Sequence, residues 1–86
     1  MKVFVVHYTH KHGCDISVFG TRDEAERAAT SIMLTRANRW DHSKTEEFRE
    51  SAFSPAGFNE LLGTFHDVER NISYGEVIEL MERKVQ

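Results

Sequence analysis

Three residues near the start of the chain, His10, His12 and Cys14, alternate along the sequence. On an extended backbone, alternate side chains point to one side. Imidazole and thiolate are ligands for Zn²⁺ or another borderline-to-soft ion, and Asp15 or His7 would complete a tetrahedral set. H-x-H-x-C is nevertheless not a standard zinc spacing, and a turn at Gly13 would splay the ligands. The plainer reading is a water-exposed hairpin loop in which Gly13 supplies a positive-φ position. Zinc stays an alternative, with no cofactor expected.

The same residues raise a second chemistry. Cys14 beside a histidine could be an activated nucleophile, but that reaction needs an orienting third group and an oxyanion site, and neither is signalled. A small buried thiol is expected instead. Asp15, just after the turn glycine, is expected to cap backbone N–H groups of its own loop.

Farther on, Arg22, Arg27, Arg36 and Arg39 form a basic strip at helical spacing. Such a strip can hold phosphates or a small anionic ligand, with Arg36 and Arg39 as the candidate ligand-binding pair. Asp23, Glu24 and Glu26 are interleaved, which favours a solvated face laced by i,i+4 ion pairs. The chain shows no phosphate-cradling glycine loop, paired-cysteine zinc motif, serine elbow or RNA-binding aromatic signature.

The elements that would position these groups follow from periodicity. Lys2–Tyr8 reads as a strand with apolar residues on both alternating sets, as for a central strand or one covered on both sides. Asp15–Phe19 reads as its hairpin partner. Thr21 and Glu24 form a capping box, and Ala25, Ala28, Ala29, Ile32, Met33, Ala37 and Trp40 then make one apolar stripe on a helix over 22–40. Ser43 and Glu46 offer a second box for a short helix reaching about Ala52. Ser54-Pro55 offers a third start, with Phe58, Leu61, Leu62 and Phe65 keeping helical spacing to about His66.

Residues 72–85 fit either a capped helix or a strand over 75–83. The strand is favoured because a hairpin alone is marginal and a sheet usually needs a third strand. The expected fold is therefore α+β. A three-stranded antiparallel sheet, built from the hairpin and a C-terminal strand, packs on one long helix with one or two short helices, all in a single domain spanning 1–86.

Composition bounds the function. The 86 residues carry a net charge of −3, with 40% hydrophobic and 29% charged residues, which suits a globular chain. Residues 1–44 hold seven Lys/Arg against five Asp/Glu, and residues 45–86 hold four against nine. An overall basic footprint for nucleic acid is absent. One cysteine cannot staple the chain internally, which suggests a reducing compartment. The start is too short for a secretory signal and no apolar run could span a membrane, so a cytoplasmic setting is expected.

Most aromatics are expected in the core. Trp40 and Tyr74, near segment ends, could equally anchor a partner, and Phe48 and Phe53 could form an exposed patch or a dimer contact.

The run Val5-Val6-His7-Tyr8-Thr9-His10-Lys11-His12-Gly13, then Asp15, Val18-Phe19, Thr21 and Glu24-Ala25, resembles small uncharacterised proteins of phages, prophages and bacterial accessory genomes. Residues 72–79 resemble their closing strand. The resemblance implies a β-β-α…β order and a phage setting, in which small acidic proteins often inhibit a bacterial defence system, as anti-CRISPR proteins do.

The leading expectation is thus a non-enzymatic binding protein acting by contact with a bacterial protein or defence complex, in the host cytoplasm. The candidate partner-binding residues are His10, Lys11, His12, Trp40 and Phe48, joined by nearby acidic helical residues. A homodimer is a further candidate. The alternative is a metal-binding domain using His10, His12 and Cys14, or a small-anion-binding domain using the hairpin tip or the arginines.

Overall fold

The computed structural model describes residues 1–52, 57–72 and 74–85, with the backbone alone for residues 42 and 51. Strands β1 (Lys2–His10) and β2 (Gly13–Phe19) form the expected hairpin. His10 pairs with Gly13, so Lys11 and His12 make a two-residue turn. Gly13 closes it at φ +131°, a conformation side chains rarely adopt.

Helix α1 (Arg22–Ala37) begins where the capping residues predict. The Thr21 hydroxyl accepts the Glu24 N–H at 3.2 Å. The helix ends three residues before Trp40, because the Arg39 and Trp40 N–H groups tighten onto the Arg36 and Ala37 carbonyls at 3.0 Å each. That tightened turn swings Trp40 inward. Thr45 secures it from α2 (His42–Ala52), donating its hydroxyl to the Ala37 carbonyl at 2.7 Å. Helix α2 starts one residue ahead of Ser43, with the Thr45 N–H on the Asp41 carbonyl.

The third helix, α3 (Phe58–Glu69), is described with Gly57 at its N-cap position. The expected Ser54-Pro55 start lies outside the described residues. β3 (Val77–Lys84) is the strand expected over 75–83 and pairs antiparallel with β1, giving the sheet order β2-β1-β3. The fold is α+β: one three-stranded antiparallel sheet with three helices.

One sheet face is covered. Phe4, Val6 and Tyr8 of β1, with Ile78 and Leu80 of β3, belong to the core that α1 closes through Ala25, Ala29, Met33 and Ala37. Alanines at four-residue steps let the helix backbone lie close to the strands. Trp40, Phe48 and Phe65 form a second part of the core, with ring centroids 5.2 to 6.2 Å apart.

The other face of the sheet carries Val3, Val5, His7 and Thr9 of β1, Cys14, Ile16 and Val18 of β2, and Val77, Glu79, Met81 and Arg83 of β3. This follows from the strand pairing, since opposed residues share a face. No helix of the described residues covers it. The two-sided apolarity of β1 thus marks a central strand with one open face.

Candidate functional site: a cleft at the hairpin tip

The site is built on a buried polar network. Glu69, at the end of α3, follows Leu61 and Phe65 at four-residue steps and is buried as deeply as they are. A buried carboxylate must be paired and hydrogen-bonded. Arg36 Nε donates to its Oε1 at 2.8 Å, and Trp40 Nε1 donates to its Oε2 at 2.7 Å. The backbone N–H of Glu76 donates to Oε1 at 3.0 Å.

That last bond depends on the turn before β3. The Gly75 N–H donates to the Ile72 carbonyl at 3.0 Å, folding the chain back against α3. A Cβ on Gly75 would lie 2.5 Å from the Glu69 carbonyl oxygen, so only glycine permits the approach.

Glu76 is also buried, and its Oε1 accepts the Tyr8 hydroxyl and lies 3.5 Å from Arg36 Nε. Burial, then the hydrogen bond and charge of Glu76, push the Tyr8 hydroxyl up to about 12. Burial works against the Arg36 charge, but the hydrogen bond and charge of Glu69, with Glu76 behind them, outweigh it and raise its pKa. Arg36 therefore keeps its charge between Glu69 and Glu76, with the protonated tyrosine beside them.

Above this floor lies a cleft of about 400 Å³ between the hairpin tip, the end of α1 and the turn before β3. His10 sits in its wall with both ring nitrogens engaged. Nε2 lies 3.0 Å from Asp15 Oδ2, and Nδ1 accepts the His12 N–H at 3.3 Å. That pattern places the neutral-ring proton on Nε2. The Lys11 ammonium lies 4.7 Å from the ring centroid of Tyr74, a cation–π contact at the mouth. Arg39 completes the rim and makes no ion pair or hydrogen bond through its side chain among the described residues.

Two sets of residues that the sequence left as separate options meet here. His10, Lys11 and His12 of the tip line the same cleft as Arg36 and Arg39. Arg36 gives its Nε to Glu69 and Glu76 in the floor of the cleft, and Arg39 stands there as the guanidinium without a partner among the described residues. The other two arginines behave as the interleaving predicts, with Arg22–Glu26 and Arg27–Asp23 pairs at 3.1 Å each. The cleft at the tip is lined by Arg36 of α1 and by Arg39 just beyond it, and by none of the expected acidic helical residues.

Other expectations fall to the register. With His10 opposite Gly13 and Thr9 opposite Cys14, the turn reverses the alternation, so Cys14 shares the open face with Thr9 while His10 lies on the helix side. His10, His12 and Cys14 therefore do not converge, and no group of three metal-type ligands occurs among the described residues. Cys14 is exposed, not a buried thiol. Asp15 holds the His10 ring rather than capping its loop.

Trp40 and Phe48 are 8% and 1% exposed, so both are corrected from partner contacts to core. Phe53 lies outside the described residues. Tyr74 is exposed, as an anchor must be.

Sequence reasoning missed Glu69, Glu76 and Tyr8 as a network. The signal was a glutamate on the Leu61–Phe65 stripe, where a charge is out of place. It also missed His66, whose Nε2 accepts the Ile78 N–H at 3.2 Å.

Fold and site together define a small α+β protein with a cation-rimmed cleft at the tip of its hairpin. No protein-family model, curated protein or solved structure matches this chain. No helix among the described residues is long and apolar enough to cross a membrane.

Proposed function

We propose that this protein is a non-enzymatic binding protein that receives an acidic side chain of a partner protein in the cleft at its hairpin tip. One observation carries the reading: the acidic groups of the cleft already have partners, while the cations at its mouth lack a carboxylate. Glu76 holds Tyr8 and Arg36, and Asp15 holds His10. Lys11 and Arg39 face the opening without a carboxylate. A partner carboxylate would complete charge-assisted hydrogen bonds there, next to the exposed ring of Tyr74.

A binding role is favoured over catalysis because two of the cleft's groups suited to proton transfer, Tyr8 and His10, are held in hydrogen bonds. The Tyr8 hydroxyl is pushed up to about 12 and so keeps its proton at neutral pH, and both nitrogens of His10 are in use. The one thiol lies on the opposite face of the sheet. In the phage setting that the hairpin motif suggests, the partner is a bacterial defence protein met in the host cytoplasm, and the protein inhibits it by occupying an acidic surface.

The test is capture from a bacterial lysate by the wild type and by a Lys11→Glu/Arg39→Glu variant. Partner capture is expected with the wild type, falling as salt rises, and lost in the variant. Equal capture by both proteins would remove the cleft from the account.

The two cations would suit one further reading, a small free anion held between them. Stabilisation by inorganic phosphate that the double variant loses, without any captured protein, would select it.

A further inference from the structure

The open face of the sheet has no role in the cleft, which lies on the helix side of the hairpin. Its apolar residues are well exposed for a β-sheet face: Ile16 is 64%, Val18 60% and Val77 41% accessible, with Val3, Val5 and Met81 partly so. Contiguous apolar surface of this kind on a small protein marks an interface.

The charges on this face show what fits it. Across the sheet, Val18, Val5 and Met81 form one apolar row, as the register places Val5 opposite both neighbours. On β3, Glu79 and Arg83 stand two residues to either side of Met81. Four residues of strand separate them by about 13 Å, too far to pair with each other. Among the described residues Glu79 makes no ion pair, and Arg83 reaches only the Met81 sulfur, at 3.3 Å.

A two-fold axis along the Val18–Val5–Met81 row would lay that row on its own copy. It would also bring Glu79 against Arg83 of the second copy, twice by symmetry. An isologous contact requires self-complementarity of this kind. His7, in the next row, adds little cost, because its Nε2 is already buried without a hydrogen-bond partner. We propose that the protein forms a two-fold homodimer through the open face of its sheet, centred on the Val18–Val5–Met81 row, with Glu79 and Arg83 paired between copies.

Sedimentation equilibrium tests this across micromolar to submillimolar protein. The wild type is expected at twice 10.0 kDa. Val18→Glu is expected to be monomeric with an unchanged circular dichroism spectrum, since Val18 is exposed and outside the core. Ile16→Lys serves as the second variant should the first fold poorly. Glu79→Arg should raise the dissociation constant at least about tenfold, and adding Arg83→Glu should restore it. A wild type that stays monomeric, or a dimer that survives both apolar substitutions, overturns the proposal. So does failure of the double charge swap to rescue. Neither result bears on the cleft, which lies on the other side of the sheet.

Discussion

Arg36 and Glu69, thirty-three positions apart, meet at 2.8 Å with only 12% and 2% of their side chains exposed. This ion pair joins α1 to α3, and through the Glu76 N–H it also fixes the start of β3. Breaking one partner of a buried pair leaves an uncompensated charge, which costs more than the pair contributes. Glu69→Ala is therefore expected to destabilise the protein by about 3–5 kcal/mol in urea unfolding, as it also strands the Trp40 Nε1–H. Glu69→Gln keeps an acceptor and should cost less. Equal losses in the two variants would mean that the charge is not what matters.

Tyr8 gives the network a signature at high pH. Its hydroxyl ionises at 10.0 in the ordinary case and at about 12 here, so the folded state holds the proton more tightly than the unfolded one. The resulting stability is fully present below pH 10 and is lost as pH rises toward 12. Wild-type stability should fall across that window more steeply than that of Tyr8→Phe. Absorbance titration should show one tyrosine ionising late, and that step should vanish in the variant.

Gly75→Ala should be among the most damaging small substitutions. The added Cβ would meet the Glu69 carbonyl oxygen at 2.5 Å, and that atom is backbone, so the turn itself must move. A cost above about 2 kcal/mol is expected, lowering the melting temperature by roughly 10 °C or more.

Gly13→Ala should cost less, about 1–2 kcal/mol, for a different reason. Nothing lies within 4 Å of its added Cβ, and the strain comes from φ +131° alone. A thermal melt of each variant separates the two glycines. A larger loss at Gly13 than at Gly75 would refute the contact argument.

Zinc should leave the protein largely unmoved. His10 has both nitrogens engaged and Cys14 faces the other way, so a metal would have to break the hairpin pairing to gather its ligands. The melting temperature is expected to be the same with and without Zn²⁺, in the wild type and in Cys14→Ser alike. The exposed thiol of Cys14 should still react with a thiol reagent in the folded protein. A zinc-induced shift that Cys14→Ser abolishes would reinstate the metal site.

The hairpin and the start of α1 were legible in the chain because each rests on local physics, whereas residues 72–85 fitted helix or strand alike and β3 was favoured only because a hairpin needs a third strand. Gly13 marks a turn that needs positive φ, Thr21 caps a helix start, and alanines at four-residue steps make a face that can lie on a sheet. Such signals span a few residues and need no knowledge of the rest. The end of α1 was less legible, since Trp40 continues the apolar stripe but is turned inward by a tightened last turn under Thr45.

Residue types and spacing also put the right groups under suspicion, the tip histidines with Lys11 and the arginines of α1. They could not show that these groups share one cleft, that Arg36 reaches Glu69 through its Nε, or that His10 and Cys14 part company. Those outcomes depend on pairings such as Tyr8 with Glu76, sixty-eight positions apart, and on a strand register that sends neighbours to opposite faces. Side-chain chemistry is written residue by residue, but which charges are buried, and against what, is set when distant segments exclude water together.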